Sequence, residues 1–278
     1  MAEPVRKPPA DRDPRSAPPQ DDPFRYGYRI RASTPGGTAE WIPLTADDLL
    51  DPQFGDQVTQ GGQHFTVVHL LAGMLRRYFK PREDVYVASD LKMLWGIPGL
   101  QRPAPDIAVI AGLRRKPDPE PDSWDVVREG ARPCLIIEVV SSKDPETRSN
   151  DYERKVPVYQ RAGVPEYLIL DPPTRSTKGR FLVTGYRLDA EGRYKRIEPN
   201  PQGHLLSETT QLLFGVADDG RSPLIIDAAT GHRLLADSEV ETARQAAEER
   251  ATQEAEARRA VEAELARLRG ELERLKNR

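Results

Sequence analysis

The chain holds one cysteine, Cys134, three methionines and few aromatic residues, 6% of its 278 positions. A lone thiol cannot close an intramolecular disulfide or build a Cys-rich zinc site, and it suits a reducing cytoplasmic setting. Long apolar runs are missing as well. No stretch of about 18 apolar residues occurs, so no membrane span is expected. Residues 1–20 lack an apolar h-region, so no secretory signal is expected there. Positive charge is not in excess either. A formal net charge of −3 leaves any nucleic-acid contact to local basic patches. Neither GxxxxGK[ST] nor GxGxxG is present, which argues against nucleotide-driven chemistry. The four histidines, His64, His69, His204 and His232, are scattered. His64 and His69 stand five apart rather than at the i, i+4 spacing of a helical zinc pair, so a zinc site is not expected.

Proline, arginine and aspartate dominate residues 1–22, with almost nothing to bury, which predicts a disordered tail. From Phe24 the pattern alternates: Phe24, Tyr26, Tyr28 and Ile30 against Arg25, Gly27, Arg29 and Arg31. That is a strand with one apolar face, and Glu40–Leu44 can return beside it after the Pro35-Gly36-Gly37 turn. Thr45 reads as a cap with Asp48 three residues on. Phe65, Val68, Leu71, Leu75 and Phe79 fall at helical spacing over Gln63–Phe79, and Arg76 and Arg77 suit the negative end of the helix dipole. Asp84–Trp95 and Pro105–Ala111 read as strands, and Leu113–Arg132 as a surface insertion without periodicity.

Cys134–Ser142 is the stretch the rest is arranged around. It is a β-branched run, expected as a buried strand, with Glu138 in the middle. Glu146–Ala162 has helical character with a kink expected at Pro157, and Gly163 and Pro165 stop it. Glu166–Leu170 is another apolar strand. Phe181–Leu188 and Tyr194–Glu198 form a hairpin, and short strands follow near Leu205, Leu212 and Leu224. From Asp237 the composition turns to Ala, Glu, Arg and Leu. Val261, Leu265, Leu268, Leu272 and Leu275 keep alternating three- and four-residue steps, a heptad stripe that points to a coiled coil, most simply a homodimer. The plainer reading is a single solvated helix.

A buried carboxylate is costly unless it is paired or holds a metal. Asp106 at the start of one strand and Glu138 within a neighbouring one can supply hard oxygen ligands for Mg²⁺ or Mn²⁺, with the Val139 carbonyl as a third. The alternative is an Asp at a strand end and a Glu paired with an arginine.

Pro105-Asp106 followed by Glu138-Val139-Val140-Ser141 resembles the PD-(D/E)XK nuclease superfamily. With Asp151, Lys155, Tyr159, Ala162-Gly163-Val164-Pro165-Glu166-Tyr167 and Asp171-Pro172, the chain resembles its Uma-two-like group of restriction endonucleases. Trp41-Ile42-Pro43-Leu44-Thr45 and Asp48-Leu49-Leu50 add to the likeness, which spans about Tyr26 to Leu235. It implies an α/β, restriction-endonuclease-like core over residues 23–236, a mixed sheet flanked by helices, followed by a coiled-coil helix over 237–278. It also implies a metal-dependent endonuclease acting on DNA, with Asp106, Glu138 and Val139 on the metal.

The superfamily lysine two residues after the acid is Val140 here. Lys155, on the next helix, is the candidate replacement, and its other reading is an i, i+4 pair with Asp151; Lys143 ranks below it. Asp56 is the candidate for the acid that superfamily members often add from the first helix. Asp90, in the strand before Asp106, is a further acid that could approach the metal, and its plainer reading is a solvent-facing residue on an alternating strand. Arg148, Arg154 and Arg161 are candidate phosphate contacts. The competing function is an inactive nuclease-fold scaffold that assembles through its C-terminal helix.

Overall fold

The computed structural model describes residues 22–31, 39–115, 117, 121–141, 145–174 and 177–276. The tail over 1–21, the Pro35-Gly36-Gly37 turn, Ser142 and Lys143 lie outside them. Three short strands open the fold: β1 (Gly27–Arg31), β2 (Glu40–Pro43) and β3 (Gln57–Val58), antiparallel in the order β2-β1-β3. Gly27 has φ +111° where β3 crosses, and a Cβ there would strike the Gln57 carbonyl, so only glycine fits. The expected helix start at Thr45 is a single 3-10 turn, Asp48–Leu50, with the Thr45 hydroxyl on Asp48 at 2.6 Å.

α1 (Gly62–Phe79) follows, and buries Val67, Val68, Leu71, Ala72, Met74, Leu75 and Phe79. It packs against two strands of the main sheet, β4 (Val85–Ala88) and, further along the chain, β8 (Pro133–Val139). Between these lie β5 (Lys92–Leu94), β6 (Ile107–Ala111), β7 (Ser123–Asp125) and the one-turn helix α2 (Val126–Glu129). The single strand expected over Asp84–Trp95 is thus two. Asp90 takes a left-handed φ of 52° between them, and the chain turns there to lay β5 parallel to β7. The supposed surface insertion contains β7 and α2, anchored by Trp124, which is buried and donates to the Ala131 carbonyl at 2.9 Å. One indole supplies the apolar area that a periodic pattern would otherwise advertise.

The main sheet has six strands in the order β11-β10-β9-β8-β6-β4, with β9 (Glu166–Asp171), β10 (Leu182–Leu188) and β11 (Tyr194–Arg196). Every pair is antiparallel except β8 and β9, which run parallel. Parallel neighbours need a crossover, and here it is helical: α3 (Pro145–Ser149), a π-helical turn at Asn150–Arg154, and α4 (Lys155–Arg161). Pro157 sits in the first turn of α4, where its missing N–H does least harm, and the irregularity falls just upstream as the π turn. Gly163, φ +71°, closes α4. Its N–H reaches the Gln160 carbonyl and that of Val164 reaches Tyr159, the paired bonds of a glycine C-cap.

Side chains alternate across β8. Ile136 and Val140 join Ala108, Ile110, Tyr159, Tyr167 and Ile169 in the core beneath α4. Leu135, Ile137 and Val139 point to the opposite face. A last antiparallel sheet, β12 (Leu205–Ser207), β13 (Leu212–Val216) and β14 (Pro223–Asp227), completes this unit. The architecture is mixed α/β.

The chain divides into two compact units, Met1–Leu234 and Leu235–Arg278. In the second, α5 (Asp237–Lys276) is one continuous helix. Val261, Leu265, Leu268 and Leu272 are 60%, 48%, 44% and 56% exposed on it. Among the described residues no helix is long and apolar enough to cross a membrane.

Candidate active site

The antiparallel register of β6 and β8 pairs Ile107 with Ile137, so Asp106 and Glu138 flank that pair at one end of the ladder. They interlock there. The Val139 N–H donates to Asp106 Oδ2 at 2.6 Å, and the Asp106 N–H approaches Glu138 Oε2 at 3.4 Å. Both side chains are buried, and the acids are tolerable inside apolar strands because each oxygen finds a donor.

α4 supplies the rest from above the sheet. Lys155 Nζ stands 3.0 Å from Glu138 Oε2 and 2.8 Å from Asp151 Oδ1. The two readings of Lys155 are therefore both present in one side chain. The Tyr159 hydroxyl, one helical turn on, donates to Glu138 Oε1 at 2.5 Å. The Tyr167 hydroxyl holds the Asp151 carbonyl at 2.8 Å and secures the π turn that carries Asp151.

From α1 comes a group the residue pattern did not single out. His64 Nε2 lies 3.3 Å from Asp106 Oδ1. The signal was available: His64, Val68, Leu71 and Leu75 share one helical stripe, and a polar residue on that buried stripe asks for a partner. Asp56, the candidate helix acid, lies before the helix and is committed elsewhere. Arg29 grips it at 2.6 and 2.7 Å. Asp90 accepts from Gln60 at 3.2 Å. It is held above the ordinary carboxylate range by desolvation and by the nearby Asp106 charge.

Electrostatics follow from this crowding. Burial opposes the charge on Asp106, but the His64 imidazolium and then Lys155 keep it below the ordinary range. Burial likewise opposes a charged His64, yet Asp106 outweighs it and pushes the ring up to about 9. Lys155 is held above its usual range by Asp151, Glu138 and Asp106 in spite of burial. It is an ammonium at neutral pH and no base. Burial pushes Glu138 up to about 8; Lys155 counters this, while Asp106 and Asp151 add to it. Three buried acids face two cations, and the imbalance favours one more positive charge.

The donor set suits a hard divalent ion. Among the described residues no three His, Cys, Asp or Glu side chains converge closely enough to chelate one as they stand. Mg²⁺ and Mn²⁺ ask less than that: one or two carboxylates with other oxygens and water complete the shell. Asp106 and Glu138, interlocked at one end of the β6–β8 ladder, are two such carboxylates.

A family model described as "putative restriction endonuclease", Uma2, matches residues 53–219. The chain belongs to the Uma2 family. The matched span contains every residue of the Uma2 cluster just described, from His64 to Tyr159. No curated protein matches the chain. Among solved structures, the Uma2 chain is similar to one described as a putative nuclease belonging to DUF820 from Anabaena variabilis ATCC 29413. That likeness has 16% identity and a TM-score of 0.37, and covers 58% of this chain and 90% of that one.

Proposed function

We propose that this Uma2 protein is a divalent-metal-dependent endonuclease that hydrolyses phosphodiester bonds in DNA. The observation that carries the reading is the meeting of β6, β8 and α4 at Glu138, whose carboxylate takes the Lys155 ammonium at 3.0 Å and the Asp106 N–H at 3.4 Å. Asp106, Glu138 and the Val139 carbonyl would hold Mg²⁺ or Mn²⁺. When bound, such an ion neutralises phosphate charge and lowers the pKa of water. The chain's own residues supply the remainder. The Lys155 ammonium orients the attacking water and stabilises charge that develops on the phosphate. The Tyr159 hydroxyl fixes the Glu138 carboxylate, and the Val139 N–H fixes Asp106. Asp151 holds Lys155 in place through an ion pair at 2.8 Å.

Basic residues near the crossover fit the role of backbone contacts. Arg148 lies against the ring of Tyr152 at 4.6 Å and pairs with buried Asp171. Arg154 pairs with Asp47, and Arg161 is exposed on α4. Guanidinium groups pre-set by carboxylates suit phosphate recognition because their outer N–H groups remain available. The heptad stripe of α5 would bring two copies together, and so two sites for the two strands of a duplex.

The test is a plasmid-nicking assay with Mn²⁺ on the intact chain beside Asp106→Ala and Glu138→Ala. Cutting by the wild type and a loss of about 100-fold or more in both variants is expected. Equal activity in all three means a contaminant, and leaves the inactive scaffold as the better reading.

A further inference from the structure

We infer that His64 is a protein ligand of the divalent ion, a nitrogen donor standing where a carboxylate from the first helix would otherwise complete the site. The inference deepens the metal-dependent reading and rests on it.

Three observations converge on the ring. Its Nε2 is 3.3 Å from Asp106 Oδ1. Neighbouring donors around an ion with arms of about 2.1 Å stand roughly 3 Å apart, so the two atoms are spaced as adjacent ligands of one octahedron. The Val139 backbone also interacts with the ring, which sets His64 beside two of the three oxygen donors already named. Finally, Nδ1 is buried without a hydrogen-bond partner. A histidine kept only for an ion pair would normally have both nitrogens matched in the interior. Here Nδ1 is unmatched and the ring meets Asp106 through Nε2 alone, so Nε2 is the nitrogen that would coordinate.

Of the two remaining candidate acids, Asp90 lies close enough to feel the Asp106 charge and Asp56 does not reach the cluster. Asp56 is bound to Arg29, and Asp90 to Gln60. The first-helix position in this cluster is held by an imidazole. The chemical consequence is selectivity. Nitrogen donors favour Mn²⁺, Co²⁺ or Ni²⁺ over Mg²⁺, which prefers oxygen. His64 would thus tilt the site toward transition metals.

The experiment uses the intact chain and Mn²⁺ alone, with no nucleic acid. Pulsed electron paramagnetic resonance of bound Mn²⁺ is expected to show modulation from a directly coordinated nitrogen. Supplying ¹⁵N-histidine should convert the pattern from ¹⁴N to ¹⁵N, which separates the ring from the Lys155 amine. Calorimetry of His64→Gln should show Mn²⁺ affinity lower by about tenfold or more. His64→Asp should bind Mg²⁺ more tightly than wild type and show no nitrogen modulation. Thermal melts of the metal-free proteins check that both variants fold, and the wild-type spectrum stands without them. Mn²⁺ binding with no histidine nitrogen in the wild-type spectrum overturns the ligand assignment and leaves the nuclease reading intact. Failure of wild type to bind Mn²⁺ at all overturns both.

Discussion

Lys155 Nζ bridges Glu138 Oε2 and Asp151 Oδ1 at 3.0 and 2.8 Å, so one ammonium neutralises two buried acids from different elements. This explains how the cluster tolerates valine two residues after Glu138. By strand alternation Val140 shares the Glu138 face. It is fully buried there, in the core that includes Tyr159. The cation arrives from the helix packed over that face rather than from the strand.

Removing it should therefore be expensive. Lys155→Met leaves Glu138 and Asp151 buried with no cation, a loss of about 3–5 kcal/mol by the usual cost of breaking a buried pair. Urea unfolding in EDTA measures it. The double variant Lys155→Met with Glu138→Gln should lose less than the two single losses added together, because the second change removes a charge that the first left stranded. A loss below about 1 kcal/mol for Lys155→Met would mean that the pair is solvated and the site open. In the nicking assay the same variant should fall by about 10²–10³-fold.

The cluster also gives metal-free stability a direction with pH. His64, at about 9 against an ordinary 6.5, keeps its proton in the folded chain after the unfolded chain has released it. Its contribution is complete below the ordinary value and is lost as pH rises through about 9. Glu138, at about 8 against 4.5, also holds a proton longer when folded. Its effect has the same sign and acts over the window between those values. Thermal melts in EDTA should therefore fall from pH 6 to pH 9, with a loss on the order of 3 kcal/mol from His64 alone. His64→Gln should flatten the upper half of that curve. A melting temperature that rises across this range would reverse the sign and defeat the assignment.

A buried acid in a strand is not by itself a site, and Glu166 shows the contrast. At the start of β9 it accepts from Arg187 at 2.9 Å, Ser207 at 2.5 Å, the Glu208 N–H at 2.9 Å and Thr209 at 2.7 Å. Every donor comes from β10 or the β12–β13 segment, so Glu166 ties the last small sheet to the main one. Glu166→Gln should cost about 2–4 kcal/mol through lost charge-assisted bonds. Mn²⁺ affinity should stay within twofold of wild type, a ratio calorimetry resolves. A fall in both would place Glu166 in the metal-binding region.

Much of this was legible in the residues because single features dominated their surroundings. The β-branched run about Glu138 could only be a buried strand, and the stripe from Val68 to Phe79 could only be a helix. The parts that escaped depend on distant partners. Asp90 splits one apolar run into β4 and β5 through a left-handed backbone, which aspartate tolerates better than most residues but which no residue pattern announces. Trp124 anchors a segment with no period at all. His64 carried a sign in its buried stripe, but its partner Asp106 lies three elements later, just before the first residue of β6, and no spacing rule links them. Asp56 read as a free acid, whereas Arg29 had already claimed it across the small sheet.

The helix α5 allows a test that needs no nuclease at all. Val261, Leu265, Leu268 and Leu272 stand in one stripe, each between 44% and 60% exposed. Around them the helix is charged, with Arg258–Glu262 and Arg267–Glu264 pairs on its surface. Such pairs contribute only about 0.3–0.5 kcal/mol each, too little to select a partner but enough to keep the flanks polar. Each exposed leucine of this stripe gains about 1.5–3 kcal/mol on full burial, and a second copy of the same stripe is the simplest cover. Light scattering on the intact chain should give twice the 31.2 kDa monomer mass. Leu268→Glu with Leu272→Glu should return it to the monomer value and leave the melt of the Met1–Leu234 unit unchanged. A monomer mass for the wild type at micromolar concentration would make α5 a solitary solvated helix, and the pairing of two sites would fall with it.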